Sequence, residues 1–227
     1  MPYNPAIQLT EFVRTLISEM PVIDSSSAIV EFTRLYLAVF YSFVAVFYTA
    51  RILVKKRRNS LEMIFPGERF CSTWWNHMIF RFFRAAIWMV CVFRWLFPAI
   101  DEALGMISEL HIWPVVLTGN VLLTAGFAFT VAVHFSLGDQ WRSGINPVGP
   151  EHLTIDGYYK YSRNPMFLGI ATAQFGFFLA LPSIFSGVCL LIGLYILYRQ
   201  TLAEEEHLLK TFPNEYKAYM ESVSRWL

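Results

Sequence analysis

The stretch GYYKYSRNPMFLGI, residues 157–170, sets Arg163 just ahead of 33 uncharged residues, Met166–Tyr198. Beyond that run, Glu204, Glu205 and Glu206 follow one another. An arginine grips a carboxylate through two parallel hydrogen bonds. Glutamates accept from ammonium groups and hydroxyls. Tyr159 and Tyr161 supply rings able to enclose an adenine or a cationic methyl group. The chemistry these residue types offer is recognition of a ligand that carries both signs of charge. Two other chemistries fail on count. Glu204 and His207 match half of a di-iron motif, but such a bundle needs a second pair and further carboxylates. Cys71, Cys91 and Cys189 are too far apart for a CxxC site and read as small apolar fillers.

The elements that must position these groups are membrane helices. Of the 227 residues, 56% are hydrophobic and only 15% charged, and the mean hydropathy is +0.44. Soluble domains carry about 25% charged residues. The net charge of +1 provides no basis for nucleic-acid binding. A span needs about 20 apolar residues. Leu35–Val54 fits, with Arg51 near enough its end to snorkel. Ala85–Ile100 is interrupted by Arg94, and Ile112–Phe135 has no Asp, Glu, Lys or Arg. Met166–Tyr198 is too long for one span, and Pro182 in LALPSIFSG marks a turn. It reads as a hairpin of two short helices, 166–181 and 183–199, each about 24 Å long. The expected fold is all-α, a polytopic bundle of about five transmembrane helices. An amphipathic helix over residues 7–17 is expected on the membrane surface. The N-terminus lacks a basic n-region and does not read as a signal peptide. After Arg199 the last helix is expected to leave the membrane and reach Leu209. Pro213 then breaks it, and a shorter helix starts near Asn214. Gly169, Ala173, Gly176 and Ala180 form one small-residue face, expected to pack against the fifth span.

Short loops rich in Lys and Arg face the cytoplasm. KKRR at 55–58 follows the first span, whereas DEALGMISEL after the second has no Lys or Arg. Loop 136–165 and the tail from 199 are then both cytoplasmic, and they flank the same hairpin. Arg163 should therefore meet Glu204 and Glu205 in space. Such a site suits S-adenosylmethionine, which has a carboxylate, an ammonium, a ribose diol and a sulfonium. On charge pattern alone, an interfacial arginine and a solvated acidic run account for these residues more simply.

The order of the residues shifts that balance. HLTIDGYYKYSRNPMFLG, His152 to Gly169, and EEEHLLKTFPNEYKAYMESVSRW, Glu204 to Trp226, resemble the two motifs of the isoprenylcysteine carboxyl methyltransferase and phospholipid methyltransferase superfamily. LGDQW at 137–141 is similar to that group's Leu-Gly turn. Asn164 stands where the family has His, Phe167 where it has Tyr, and Pro213 where it has Gly. The resemblance implies an integral-membrane enzyme that transfers a methyl group from S-adenosylmethionine, with its cofactor site facing the cytoplasm. It implies a cofactor site of His152, Leu153, Gly157, Tyr159, Tyr161, Arg163, Asn164, Pro165, Gly169, Glu204 and Glu205. Arg163, Asn164 and Glu205 are the expected catalytic set, with Arg163 on the cofactor carboxylate. Tyr216, Tyr219 and Arg225 are placed at the acceptor entrance. No metal is implied.

Two units follow. Residues 1–136 would hold the surface helix and three spans. Residues 137–227 would hold the cofactor-binding loop, the hairpin and the tail. The expected acceptor is lipophilic or lipid-linked and reached from the bilayer. Carboxyl O-methylation ranks first, with phospholipid or amine N-methylation and thiol S-methylation as alternatives. The membrane would be a bacterial inner membrane or the endoplasmic reticulum. An NADPH-dependent reductase of the sterol type would need about twice the spans, and a non-catalytic scaffold leaves the loop's polar residues without a ligand. The topology is testable. Single cysteines at Ser60 and Ser222 should react with an impermeant reagent from the same side, and labelling from opposite sides refutes the five-span arrangement.

Overall fold

The computed structural model describes residues 25–59, 64–141, 143–147 and 149–227. The expected surface helix at 7–17 lies outside them. Seven α-helices occur among the described residues: α1 (Ser25–Asn59), α2 (Ser72–Leu96), α3 (Ile100–Ala103), α4 (Trp113–Ser136), α5 (Pro165–Ala180), α6 (Ile184–Thr211) and α7 (Pro213–Ser222). The fold is an all-α membrane bundle. Helices α1, α4 and α6 are long and apolar enough to cross a membrane, and α5 is a shorter apolar helix.

The hairpin turns where Pro182 placed it. Ser183 caps α6 by accepting from the Ser186 amide, while Ser186 Oγ accepts from the Ser183 amide in return. This arrangement satisfies two donors that a helix start leaves open. Helix α6 continues past the apolar run to Thr211, and Pro213 opens α7 at a first-turn position where no N–H is needed. The second span differs from expectation. Its helix starts at Ser72 and ends at Leu96, ahead of Pro98. Its first half carries the aromatic residues Trp74, Trp75, Phe80, Phe82 and Phe83, and Cys71 Sγ caps it by accepting from the Trp74 amide at 3.4 Å. Asn76 and Arg94 are buried in it, so Arg94, which interrupts the apolar run in sequence, sits on its inward face.

The small-residue face of α5 packs against α4, the third span, rather than the fifth. A Cβ on Gly126 of α4 would lie 2.5 Å from the Ala173 amide nitrogen. One on Gly169 would lie 2.5 Å from Thr130 Oγ. Cβ atoms on Gly119 and Gly176 would fall on the Ala180 and Leu123 amides. Glycines on both partners let the backbones touch, which is how helices gain contact in lipid. Leu123, Phe177, Ala180 and Leu181 continue that seam into the core, joined by Leu37 and Cys91.

One end of the bundle is closed by charge. Asp101 in α3 accepts from Arg94 Nε of α2 and, at 2.7 Å, from Arg34 Nη2 of α1. The adjoining segment pairs with the hairpin turn, through Ile184 N–H to Gly105 O and Ile107 N–H to Pro182 O, both 2.9 Å. At the other end two short strands, β1 (Ile64–Phe65) and β2 (Ser143–Gly144), pair in parallel. They strap the α1–α2 connection to the loop ahead of α5. Gly144 has φ +91°, and a Cβ there would strike the Phe65 carbonyl, so only glycine fits.

Burial alone would raise the Asp101 pKa, but the two arginines outweigh it and hold the carboxyl below its ordinary value. A depressed folded-state pKa adds stability above the unfolded value, about 3.9, and that stability is lost as pH falls through the folded value. Asp101→Asn leaves Arg94, 1% exposed, as an uncompensated buried cation. We expect a loss of about 3–5 kcal/mol, read as a lower thermal unfolding temperature at pH 7. An unchanged temperature would show that the clamp carries no stability.

Candidate functional site

A cavity of about 1200 Å³ opens between α1, α2, α4, α5, α6 and the loops at the β1–β2 end. Its walls change in character along its length. Near the loops it is lined by Arg163, Asn164, His152, Thr154, Gln200, Glu204 and Glu205. Deeper, Phe40, Val44, Phe127, Ile170, Phe177 and Leu190 form the wall. Pockets for one small ligand run to about 300–1,000 Å³, so this one has room for two.

Glu205 organises the polar part. It is buried on α6, and three side chains converge on it. Arg225 donates from Nε to Oε2 at 3.0 Å, with Nη2 at 2.9 Å from the same oxygen. Asn164 Nδ2 donates to Oε1 at 3.3 Å, and Arg163 Nη2 lies 3.5 Å from it. Arg163 thus meets Glu205, while Glu204 lines the same cavity without a direct contact to it. Glu205 is nonetheless consumed by protein donors, and its evident work is to hold two arginines and an amide in place. Glu204 accepts from Gln200 Nε2 at 2.9 Å and faces the cavity. Glu206 points away and pairs with Lys210.

While Gln174 Oε1 and His207 Nε2 are other open polar atoms on the cavity lining, Arg163 has donor capacity to spare. Its side chain is 8% exposed, yet Nε and Nη1 are buried without a hydrogen-bond partner. Buried donors are nearly always satisfied, so two open ones on a cavity wall fit a ligand carboxylate. The loop that carries Arg163 is held by the chain's last residues. Its N–H donates to Ser224 O at 3.0 Å, and Asn164 Nδ2 donates to Arg225 O at 3.2 Å. Tyr219 donates its hydroxyl to Tyr159 O at 2.6 Å. Burial pushes the Tyr219 phenol up to about 12. The Tyr159 and Tyr216 phenols are also raised, by burial first and by Glu204 and Glu205 respectively. All three stay neutral donors at physiological pH.

His152, Leu153, Tyr159, Arg163, Asn164, Glu204, Glu205, Tyr216 and Tyr219 all line the cavity. His152 stacks its role onto Gln140, which its ring contacts and which also accepts from Thr154 at 2.9 Å. Five expected residues are not brought to it. Tyr161 is 77% exposed, because the 3-10 turn Gly157–Lys160 directs Tyr159 inward. Gly157 opens that turn with φ +61°. Pro165 starts α5, Gly169 packs on α4, and Arg225 reaches the site through Glu205 and, by its carbonyl, through Asn164. Tyr219, which lines the cavity, also secures the loop through its hydroxyl. Residues the motifs did not point to include Gln200, one helical turn before Glu204, and the walls from α1 and α2. Spacing to Glu204 could have indicated the former; no motif marks the latter.

If Tyr219 is the latch on the loop, Tyr219→Phe removes the donor to the Tyr159 carbonyl at a cost of about 1–3 kcal/mol. Hydrogen exchange over 157–164 should speed up while α4 and α5 stay protected. Unchanged exchange in that loop would show that the contact holds nothing.

The family model described as phospholipid methyltransferase matches residues 114–215. The matched segment runs from the start of α4 to the start of α7 and contains the hairpin, the Arg163 motif and the glutamates. Neither the curated proteins nor the solved structures contain a match.

Proposed function

We propose that this chain methylates a lipid acceptor, a reading supported by the match of residues 114–215 to the phospholipid methyltransferase family model and by the resemblance of its motifs to the isoprenylcysteine carboxyl methyltransferase and phospholipid methyltransferase superfamily. The methyl donor in this reading is S-adenosylmethionine, bound in the polar part of the cavity. The observation that carries it is Arg163, buried on that wall with two open donors.

Arg163 would take the cofactor carboxylate bidentately. Glu204 faces the same space and would accept from the ammonium or the ribose hydroxyls. Tyr159 and His152 close the wall around the adenine side. S-adenosylmethionine supplies a methyl group on a sulfonium, which leaves as a neutral thioether and needs no proton. The protein's task is therefore alignment and exclusion of water. Asn164 and Glu205 act on Arg163, not on the reacting atoms, and are positioning residues. The apolar depth of the cavity takes the acceptor's lipid part, leaving a carboxylate or a headgroup amine as the nucleophile. Residues 137–227 act as the cofactor unit, with the spans of 1–136 as the acceptor side. The polar end faces the cytoplasm, by the Lys and Arg bias of the loops.

Arg163→Ala is expected to lose cofactor affinity by about 2–5 kcal/mol, the cost of truncating one partner of a buried charge pair. Titration calorimetry with S-adenosylhomocysteine reads it, and a normal unfolding temperature shows that the fold survives. Undiminished affinity would remove Arg163 from the site.

A further inference from the structure

The cavity has a second cationic wall that the cofactor does not use. Helix α2 lines it with half-buried His77 and with exposed Arg81 and Arg84, at i, i+4 and i+7 on one face of the helix. Neither arginine is ion-paired among the described residues, whose salt bridges involve Arg34, Arg94, Lys160, Arg163, Lys210 and Arg225. The cavity's own carboxylates are committed or distant in role. Glu205 is held by Arg163 and Arg225, Glu204 by Gln200, and Glu151 is an exposed loop residue. The Arg84 guanidinium lies 5.6 Å from the Tyr48 ring of α1, so both helices bear on it. His77 sits against the β1–β2 strap, where a Cβ on Gly144 would be 2.7 Å from Nε2.

Along α2 the lining then changes sign of affinity within one turn. Ile87 and Trp88 follow Arg84, opposite Phe40, Tyr41 and Val44 of α1. A cationic rim above an apolar slot is complementary to an amphiphile with an anionic head. Two guanidiniums match an oxyanion better than one cation does, since each offers a planar pair of donors. An arginine serving only to snorkel into headgroups needs no cavity wall.

We propose that His77, Arg81 and Arg84 form an oxyanion subsite that holds the head of an anionic amphiphile whose chain lies in the apolar part of the cavity. That the amphiphile is the methyl acceptor rests on the function proposed above; the subsite itself does not. The anion then fixes how far the headgroup enters, and so which of its atoms reaches the methyl group.

The test uses the full chain in neutral detergent with dioctanoyl phosphatidic acid, dioctanoylglycerol and inorganic phosphate as probes. Phosphatidic acid should bind at least about tenfold tighter than the uncharged diglyceride, the scale of one charge-assisted hydrogen bond. Arg81→Gln/Arg84→Gln should abolish that preference, and Arg163→Ala should keep it. Arg81→Gln alone should weaken it, which covers the case where loss of Arg84 from Tyr48 disturbs α1. Equal binding of the two lipids, or an unchanged preference in the double variant, overturns the subsite. Inorganic phosphate matching phosphatidic acid overturns the amphiphile in favour of a free anion. Failure of the parent protein to bind S-adenosylhomocysteine would overturn the methyl-transfer reading while leaving the lipid preference to decide this one.

Discussion

Glu205 is a carboxylate buried in a protein whose surroundings are largely lipid, and it is stable there only because three donors reach it. Removing an ion from water costs several kcal/mol, and partners must return it. Helix α6 cannot provide them from its own apolar stretch. Arg163 and Asn164 come from the loop before the hairpin, and Arg225 comes from the end of the chain. The chain must therefore double back after α6, and the break at Pro213 with the short α7 makes it do so. Tyr216 and Tyr219, both buried, fill the bend. The same contacts leave Arg163 half satisfied, facing the cavity with two open nitrogens. The order at the site and its readiness for a ligand thus arise from one buried charge.

That arrangement works only if the hairpin itself does not move. In a bilayer apolar helices gain little from burying apolar faces, and close backbone packing has to serve instead. The glycines of α4 and α5 achieve this, and α5 is locked on α4 from Gly119 to Gly169. At the far end Asp101, between Arg34 and Arg94, ties α1 and α2 to the segment that pairs with the hairpin turn. At the near end the β1–β2 strap joins the α1–α2 connection to the Arg163 loop. The helices between these fastenings enclose the cavity without filling it.

Much of this was legible in the residues. Pro182 marked the hairpin, Pro213 the break after α6, and the order of Arg163 and Glu205 their meeting. What was not legible has physical reasons. Periodicity shows that α5 has a small-residue face, but not which apolar neighbour occupies it; the matching glycines lie on α4, where Gly126 meets Gly169 and Ala173, and Gly119 meets Ala180. Arg81, Arg84 and Arg94 hid the true length of α2, since charge within a helix reads as the end of a span until a cavity or a partner is known for it. Adjacent glutamates point in different directions on a helix, so Glu204 and Glu205 looked alike in sequence yet one faces the cavity and the other is consumed by arginines. Tyr159 and Tyr161 differ for a similar reason, because a 3-10 turn rather than a strand carries them.

Asn164 is best understood through the charge at this hub. Two guanidiniums already surround one carboxylate there, an excess of one positive charge, and Arg163 needs that excess to attract a ligand carboxylate. Asn164 occupies the third place with a neutral amide whose two N–H groups are divided between Glu205 Oε1 and the Arg225 carbonyl. A protonated histidine would add a third cation beside Glu205 and compete with Arg163 for it. A neutral histidine has one N–H to give and would leave one of those acceptors short. The amide satisfies both acceptors without changing the charge, and it joins the carboxylate on α6 to the tail that wraps the loop. In this chain the position serves the geometry of Arg163, and in the proposed reaction the methyl group leaves a sulfonium whose sulfur becomes a neutral thioether, so no acid is needed there.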